Sequence, residues 1–405
     1  MEMAGNDTHN VSIIEDARPG APAAGGAAPG DVPGGGDAAA CPSGRSDEPA
    51  CRLADAELGA RRAELFVFNT DVLLYAYPAD DEDADDPAVR ARLDAALVAA
   101  AERCAFFEWT LSRTRADSDI SRAHAAAPQP VPVTPETAEL TRLALGYGAA
   151  SEGLFDITMG TITSLWDFHT GRVPSKLELA RALEHVGAER IRVREEPADP
   201  SAPAGRAASA SRPTLSITDP KTVLDLGGIA KGYIADDLAR ILVEHGVERY
   251  VLNLGGNVLV GGGRPAAPDA RPPHRAGDPW RIGIVNPFDA AHHRALVEVR
   301  DGSVVTSGVH ERSFTRGGVT YHHILSPRTG MPAASDLVSA TIISDRSIDG
   351  DGWSTTVFMM GMERGRAFVE ELPGVEAVLI DERDRVQWTS GLAERLSLIP
   401  TLPRL

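Results

Sequence analysis

A chain of 405 residues is long enough for two or three domains, but its composition limits how much of it folds. A net charge of −18 argues against nucleic acid or an anionic membrane as the main partner, while leaving room for a local cationic pocket. No run is long and apolar enough to cross a bilayer. The polar start Met1-Glu-Met-Ala-Gly-Asn-Asp7 also lacks a secretory pattern, so neither membrane insertion nor export is expected.

Residues 1–61 are rich in Ala, Gly, Pro, Asp and Ser and carry almost no apolar periodicity. Such a segment buries too little surface to offset its ordering entropy, and reads as a disordered tail before a folded region over 62–400. Of the three cysteines, Cys41 and Cys51 fall in that tail and Cys104 on a helical apolar face. No metal spacing or disulfide framework emerges, which fits a reducing compartment and predicts a soluble, cytoplasmic protein.

Glu64 to Tyr77 predicts one or two strands around a turn near Asn69. Asp86 then caps a helix with Pro87 in its first turn and Val89, Leu93, Leu97 and Cys104 on its buried face. Thr134-Pro135 opens a second helix, and residues 175–187 form a third, stopped at Gly187. Two Pro-, Ala- and Arg-rich stretches, 196–213 and 264–278, read as exposed low-complexity insertions. Short apolar strands are expected at 249–254, 280–285, 303–306, 338–343 and 376–379, with helices over 230–245 and 352–371. Strands and helices alternate without a regular βα repeat, which predicts a single compact α+β domain.

The chemistry concentrates in a few motifs. In Asp225-Leu-Gly-Gly-Ile-Ala-Lys-Gly232 a short strand from Thr222 to Leu226 runs into two glycines, a lysine and a helix starting near Tyr233. Glycines there admit main-chain N–H groups to a ligand, and a helix N-terminus with Lys231 favours a phosphate or pyrophosphate. The pattern is neither of the standard nucleotide loops, and a Gly-rich turn with a solvated lysine is the other reading of this motif taken alone. Asp351 and Thr355 lie four apart, on one helical face if the helix has begun. A carboxylate with a hydroxyl is hard-oxygen chemistry suited to Mg2+, although Asp351 is equally placed as an ordinary helix cap. His322-His323 precedes the turn Ser326 to Gly330, where a histidine could take a proton from an attacking hydroxyl or simply end a strand. Gly153-Leu-Phe-Asp156 offers a ring and one acceptor to a flat heteroaromatic, or else a capped turn with core aromatics. Asn253-Leu-Gly-Gly-Asn257 reads as a structural strand–turn–strand.

Taken in order, these motifs resemble the ApbE family of FAD:protein FMN transferases from about residue 64 to 395. The landmarks are Asp117 to Arg122, Gly153 to Asp156, Asp225 to Asp236, Asn253 to Gly256, Thr306 to Gly308, His323 to Gly330 and Asp351 to Thr355. The resemblance implies a T-fold-like α+β domain with mixed sheets flanked by helices. It implies FAD as substrate, Mg2+ as cofactor, and transfer of FMN to a Thr or Ser of a target flavoprotein with release of AMP. Its residues would be Leu154, Phe155, Asp156, Asp225, Lys231 and Ile324 around FAD. The metal would be held by Asp351, Thr355 and the carbonyl of Gly228, with His323 as the base. A FAD pyrophosphatase yielding FMN and AMP is the neighbouring alternative, and a non-catalytic flavin-binding protein the next. Departures from the family pattern are Ser326 in place of an aspartate, Ser354 in place of a second carboxylate, Thr114 in place of an aromatic, and Ile157 in place of a proline.

Overall fold

The computed structural model describes residues 51–196, 212–269 and 273–400, with the short strands Val11–Ile13 and Ala39–Ala40. The fold is α+β, as expected. Its contacts divide the chain into two units, one of Met1–Ala105, Lys231–Glu311 and Ser335–Leu405, the other of Phe106–Ala230 and Arg312–Ala334.

The first unit is built on a ten-stranded antiparallel sheet. Its order runs Val386–Trp388, Val375–Asp381, Leu337–Ser344, Gly302–Gly308, Asn257–Gly261, Arg249–Leu254, Thr70–Tyr77, Arg61–Val67, Arg52–Asp55, Ala39–Ala40. Alternation in these strands sends one set of side chains to each face. Val258, Val304, Ile343 and Val378 meet Trp280, Ile282, Val297 and Val299 of a four-stranded sheet in one buried core. On the other face lies the Ser347–Met360 helix, close enough that a Cβ on Gly350 would meet Val305 at 2.5 Å. The second unit combines the sheet Val131–Pro132, Arg212–Ile217, Ile191–Glu196 with helices Asp119–Ala126, Pro135–Ala150, Gly160–Thr163 and Lys176–Leu183. A separate core gathers Ile162, Trp166, Leu179 and Leu325.

Local signals were good guides where a cap or turn sets the element. The strands Arg61–Val67 and Thr70–Tyr77 flank a turn at Phe68 and Asn69. The Asp86 carboxylate accepts the Ala88 N–H at the start of the Pro87–Leu111 helix, and Thr134 caps the Pro135–Ala150 helix through its hydroxyl. Several boundaries move. The helix expected over 175–187 ends at Leu183, well before Gly187. The helix expected from residue 352 begins at Ser347, and Gly361, with φ of 80°, separates it from the Met362–Glu370 helix.

Other corrections are larger. The tail expected over 1–61 lies mostly outside the described residues, but its end is ordered, because Arg52–Asp55 pairs with Arg61–Glu64 in the large sheet. The insertion at 196–213 overlaps paired strands at both ends, and 197–211 lies outside the described residues. In the insertion at 264–278, residues 270–272 lie outside the described residues. The flanks are not loose, since Arg264 and Asp278 are hydrogen-bonded through their main chains and Ala267 bridges His274. Cys51 is disulfide-bonded, with its partner outside the described residues, whereas Cys104 is free and buried. Disulfides persist in oxidising surroundings, so cysteine usage no longer argues for a reducing compartment. Among the described residues no helix is long and apolar enough to cross a membrane.

Candidate functional site

The Asp225 motif does not follow a strand. Val223 makes one isolated bridge to Met159, and the next main-chain donors find partners outside any ladder. The Val223 N–H goes to the Thr161 hydroxyl at 2.8 Å, that of Leu224 to His124 Nε2 at 2.8 Å, and that of Asp225 to the Ile157 carbonyl at 2.7 Å. An imidazole accepting at Nε2 must be neutral or lose that bond. Burial and the Arg113 charge both hold the His124 pKa below its ordinary value, and Asp225 opposes them. Asp225 is fixed at both oxygens, by the Gly227 N–H at 2.9 Å and by the Arg113 guanidinium at 3.1 Å.

The same turn meets the Gly153 motif. The Pro135–Ala150 helix ends at Ser151, whose hydroxyl accepts the Phe155 N–H, while Gly153 takes a φ of 76°. Phe155 is buried against Tyr147, and a Cβ on Gly228 would sit 3.7 Å from the Phe155 ring. Asp156 accepts both the N–H and the hydroxyl of Thr158. Burial pushes its carboxyl above the ordinary range against those two bonds. Leu154, Phe155, Asp156, Asp225 and Gly228 are therefore gathered in the second unit.

His323 and Ile324 belong to that unit too. The His323 N–H donates to the Arg312 carbonyl at 3.0 Å, and the buried Ile324 accepts the Ala333 N–H at 2.9 Å. The turn that follows is closed by Ser326, whose carbonyl accepts the Gly330 N–H and whose hydroxyl accepts that of Arg328. Ser326 thus performs the turn-closing work an aspartate does in an Asx turn. Trp166 Nε1 donates to the Gly330 carbonyl at 3.0 Å and ties the turn to the aromatic core. Burial, and then the neighbouring His323, push His322 down to about 4, so His322 is neutral at physiological pH.

The remaining residues lie in the first unit, on two helices that cap one another. The Ala230–Glu244 helix starts earlier than Tyr233, so Lys231 sits in its first turn. Asp351 is not the cap of its own helix, which began at Ser347. Its Oδ2 accepts the Gly232 N–H at 2.6 Å instead, and its Oδ1 accepts Asn257 Nδ2 at 3.2 Å. In return Asp236 accepts the N–H groups of Ser347 and Ile348. Glycine at 232 allows this, because a Cβ there would stand 2.4 Å from the Ser347 carbonyl. Burial raises the Asp351 carboxyl, with Lys231 and its two hydrogen bonds opposing. One turn on, Thr355 Oγ1 is 3.1 Å from the Ser307 hydroxyl, which donates to Ser354 at 2.9 Å.

Among the described residues no group of three or more His, Cys, Asp and Glu could hold a metal. The donor set at Asp351 is still one that fits Mg2+, which takes few protein ligands and prefers oxygen. Asp351, Thr355, Ser354 and Ser307 present oxygens only, and a cation would favour the ionised carboxylate that burial disfavours. Asp349 turns elsewhere, 3.6 Å from the Arg346 guanidinium. Arg113, His124, Asn257 and Ser307 were missed as contributors. Only Asn257 and Ser307 carried a signal: Asn257 ends a motif read as a structural strand–turn–strand, and Ser307 belongs to the landmark Thr306 to Gly308, which lies within the Gly302–Gly308 strand.

The ApbE family model matches residues 70–379. The chain belongs to the ApbE family. It is 35% identical over 296 residues to an FAD:protein FMN transferase of Treponema pallidum, covering 72% of this chain and 78% of that protein. An FAD:protein FMN transferase of Klebsiella pneumoniae is 32% identical over 295 residues, covering 72% and 84%. Among solved structures, the flavin transferase ApbE from Vibrio cholerae superposes with a TM-score of 0.65 at 25% identity, over 83% of this chain and 99% of that one.

Proposed function

We propose that this chain is an FAD:protein FMN transferase that joins FMN, through its phosphate, to a Thr or Ser hydroxyl of a target flavoprotein and releases AMP. The observation that carries the reading is the joining of the two motifs assigned to FAD. The Asp225 N–H is bonded to the Ile157 carbonyl, and Gly228 stands against the Phe155 ring. Leu154, Phe155, Asp156, Asp225 and Ile324 are assigned to FAD, with Lys231 on its pyrophosphate and His323 on the acceptor hydroxyl.

In the reaction the acceptor oxygen bonds to the FMN phosphorus as the bond to the AMP oxygen breaks. His323 takes the hydroxyl proton as that oxygen attacks, a role that ordinarily contributes about 10²–10⁴-fold. Asp351 and Thr355 are assigned to Mg2+ through their side chains, with the Gly228 carbonyl assigned to the same ion by resemblance. When bound, Mg2+ supplies neutralisation of the charge that develops on the phosphate oxygens.

The test is incubation of the purified protein with FAD, Mg2+ and a flavoprotein domain, read as covalent flavin fluorescence in a denaturing gel. Labelled acceptor with AMP release, both abolished by a chelator, is the expected result. Release of AMP and free FMN without label would make the protein a FAD pyrophosphatase. Bound FAD with no turnover would leave a flavin-binding protein.

A further inference from the structure

The turn that carries Asp225 is held by two elements in different ways. Residues 157–161 supply the Ile157 carbonyl and the Thr161 hydroxyl, which accept the Asp225 and Val223 N–H groups. Packing there is close: a Cβ on Gly160 would stand 2.6 Å from the Val223 carbonyl oxygen and 3.1 Å from the Asp225 Cβ. The donor between these two, the N–H of Leu224, goes instead to the Asp119–Ala126 helix, where His124 Nε2 accepts it at 2.8 Å. Leu224 is fully buried, so its N–H has no water to turn to if the imidazole lets go.

His124 differs from the other two acceptors in that it titrates. A carbonyl or a hydroxyl accepts at every ordinary pH, whereas Nε2 accepts only while the imidazole is neutral with its one proton on Nδ1. The charges that act on it from its neighbours are Arg113, in the loop before its helix, and Asp225 itself. On its own helix Asp119 and Arg122 are paired with each other. Arg113 and Asp225 are also a pair, at 3.1 Å. An imidazolium would repel the first and attract the second. A proton on His124 therefore releases the Leu224 N–H and at the same time pulls on the carboxylate of the next residue. Burial and then Arg113 hold the His124 pKa below its ordinary 6.5, against Asp225, so the ring is neutral at physiological pH.

We propose that His124 is a positioning residue of the FAD site: through Leu224, its neutral imidazole keeps the turn from Asp225 to Gly228 in the shape that binds FAD. This rests on the assignment of Asp225 to FAD above. His124 itself is not placed on the substrate, and it acts through one main-chain bond on the residue before the assigned carboxylate. Once that bond is lost, only a fraction of the molecules holds the binding-competent turn, and the apparent affinity falls by that fraction. The neutral form is the one that binds. Affinity for FAD is therefore full at neutral pH and is lost on the acid side of 6.5.

Full-length wild type, His124→Leu and His124→Gln are compared for FAD affinity by fluorescence titration at about pH 7.5 and about pH 5, either side of the usual histidine range. A chelator is present so that FAD is not consumed. Wild type is expected to bind FAD about tenfold more weakly at the lower pH, the equivalent of one buried donor left without its acceptor. His124→Leu offers no acceptor and should show about that tenfold loss already at the higher pH. His124→Gln places a neutral amide oxygen within reach of the Leu224 N–H, and should stay within about threefold of wild type at the higher pH. Both variants should lose much less than wild type on acidification. Asp156, the other FAD-assigned group that burial holds toward its neutral form, is present in all three proteins, so its share of any acid loss cancels in the comparison. A residue that serves only the fold would lower the melting temperature and leave the pH profile of FAD binding unmoved. Equal acid losses in wild type and His124→Gln would overturn the positioning role, as would wild-type affinity in His124→Leu at the higher pH. Should the Leu variant fail to fold, wild type against His124→Gln still decides, because both keep an acceptor at neutral pH. Wild type that binds no FAD at either pH, with or without Mg2+, would defeat the FAD assignments themselves, and the positioning role with them.

Discussion

The two units hold their assigned residues by opposite means. In the first, Asp351 is part of helix-to-helix architecture: it caps the Ala230–Glu244 helix, while Asp236 caps the Ser347–Met360 helix in return. In the second, the assigned residues sit on turns: Asp225 accepts the Gly227 N–H and pairs with Arg113, Asp156 accepts the N–H and hydroxyl of its neighbour Thr158, and the His323 main chain bonds Arg312. A carboxylate that holds two buried donors cannot be removed for its chemistry alone. A side chain on a turn can. The first unit should therefore couple activity to stability, and the second should separate them.

Asp351 offers the largest effect and the most direct way to break that comparison. Asp351→Ala leaves the Gly232 N–H and the Asn257 amide without an acceptor, at a cost of about 2–4 kcal/mol of stability, and is expected to abolish transfer. Asp351→Asn keeps an acceptor for Gly232, so most of the stability should return while transfer stays at least about a hundredfold down for want of a charged metal ligand. Thermal melts beside the labelling assay would measure both. Recovery of transfer in the Asn variant would mean that capping is the only task of Asp351.

His323→Ala is the matching change in the second unit. Its assigned role uses the side chain, while its recorded main-chain bond to Arg312 survives the substitution. Transfer should fall by about 10²–10⁴-fold, with FAD affinity unchanged and the melting temperature within about 2 °C. Unchanged transfer would remove His323 as the base.

Asp236 tests whether the reciprocal capping is electrostatically costly. Burial pushes its carboxyl up to about 6, against the two N–H groups it accepts. A raised pKa means that the folded state holds the proton more tightly. The stability it contributes is present below the unfolded value near 3.8 and is lost as pH rises through 6. The full loss is on the order of 3 kcal/mol. Asp236→Asn lacks that titration but places an amide where one N–H needs an acceptor, a penalty that does not change with pH. The variant should therefore be less stable than wild type at pH 4 and gain on it steadily up to pH 7. A gap independent of pH would mean that the carboxylate is ionised throughout.

What was legible in the sequence follows the same division. Caps and turns at Asp86, Thr134 and Asn69 announced their elements because the signal and its effect are a few residues apart. The order of motifs was enough to name the family. Asp351 misled because its partner Gly232 is far away in the chain, so its own neighbourhood suggested a local cap. The strand expected over 222–226 failed for a related reason, since its donors are taken by Thr161, His124 and Ile157 instead of a neighbouring strand. Arg113 and His124 carried no local pattern, because their tasks exist only once distant segments meet.

Ser326 carries the smallest expected effect and bears most directly on what the family's usual aspartate does there. In the structure the Ser326 hydroxyl accepts the Arg328 N–H at 3.3 Å, a long bond, while its main chain closes the turn through Gly330 and Met331. If closing the turn is the whole task, Ser326→Ala should cost only about 0.5 kcal/mol, and Ser326→Asp should be neutral or slightly stabilising, since a carboxylate accepts that N–H more strongly. Transfer should change by less than about threefold in either variant, because the His323 and Ile324 main chains are held by Arg312 and Ala333 whatever residue 326 is. A tenfold gain in Ser326→Asp at unchanged melting temperature would instead give the carboxylate a chemical task, and the turns of the second unit would then couple to catalysis as closely as the helices of the first.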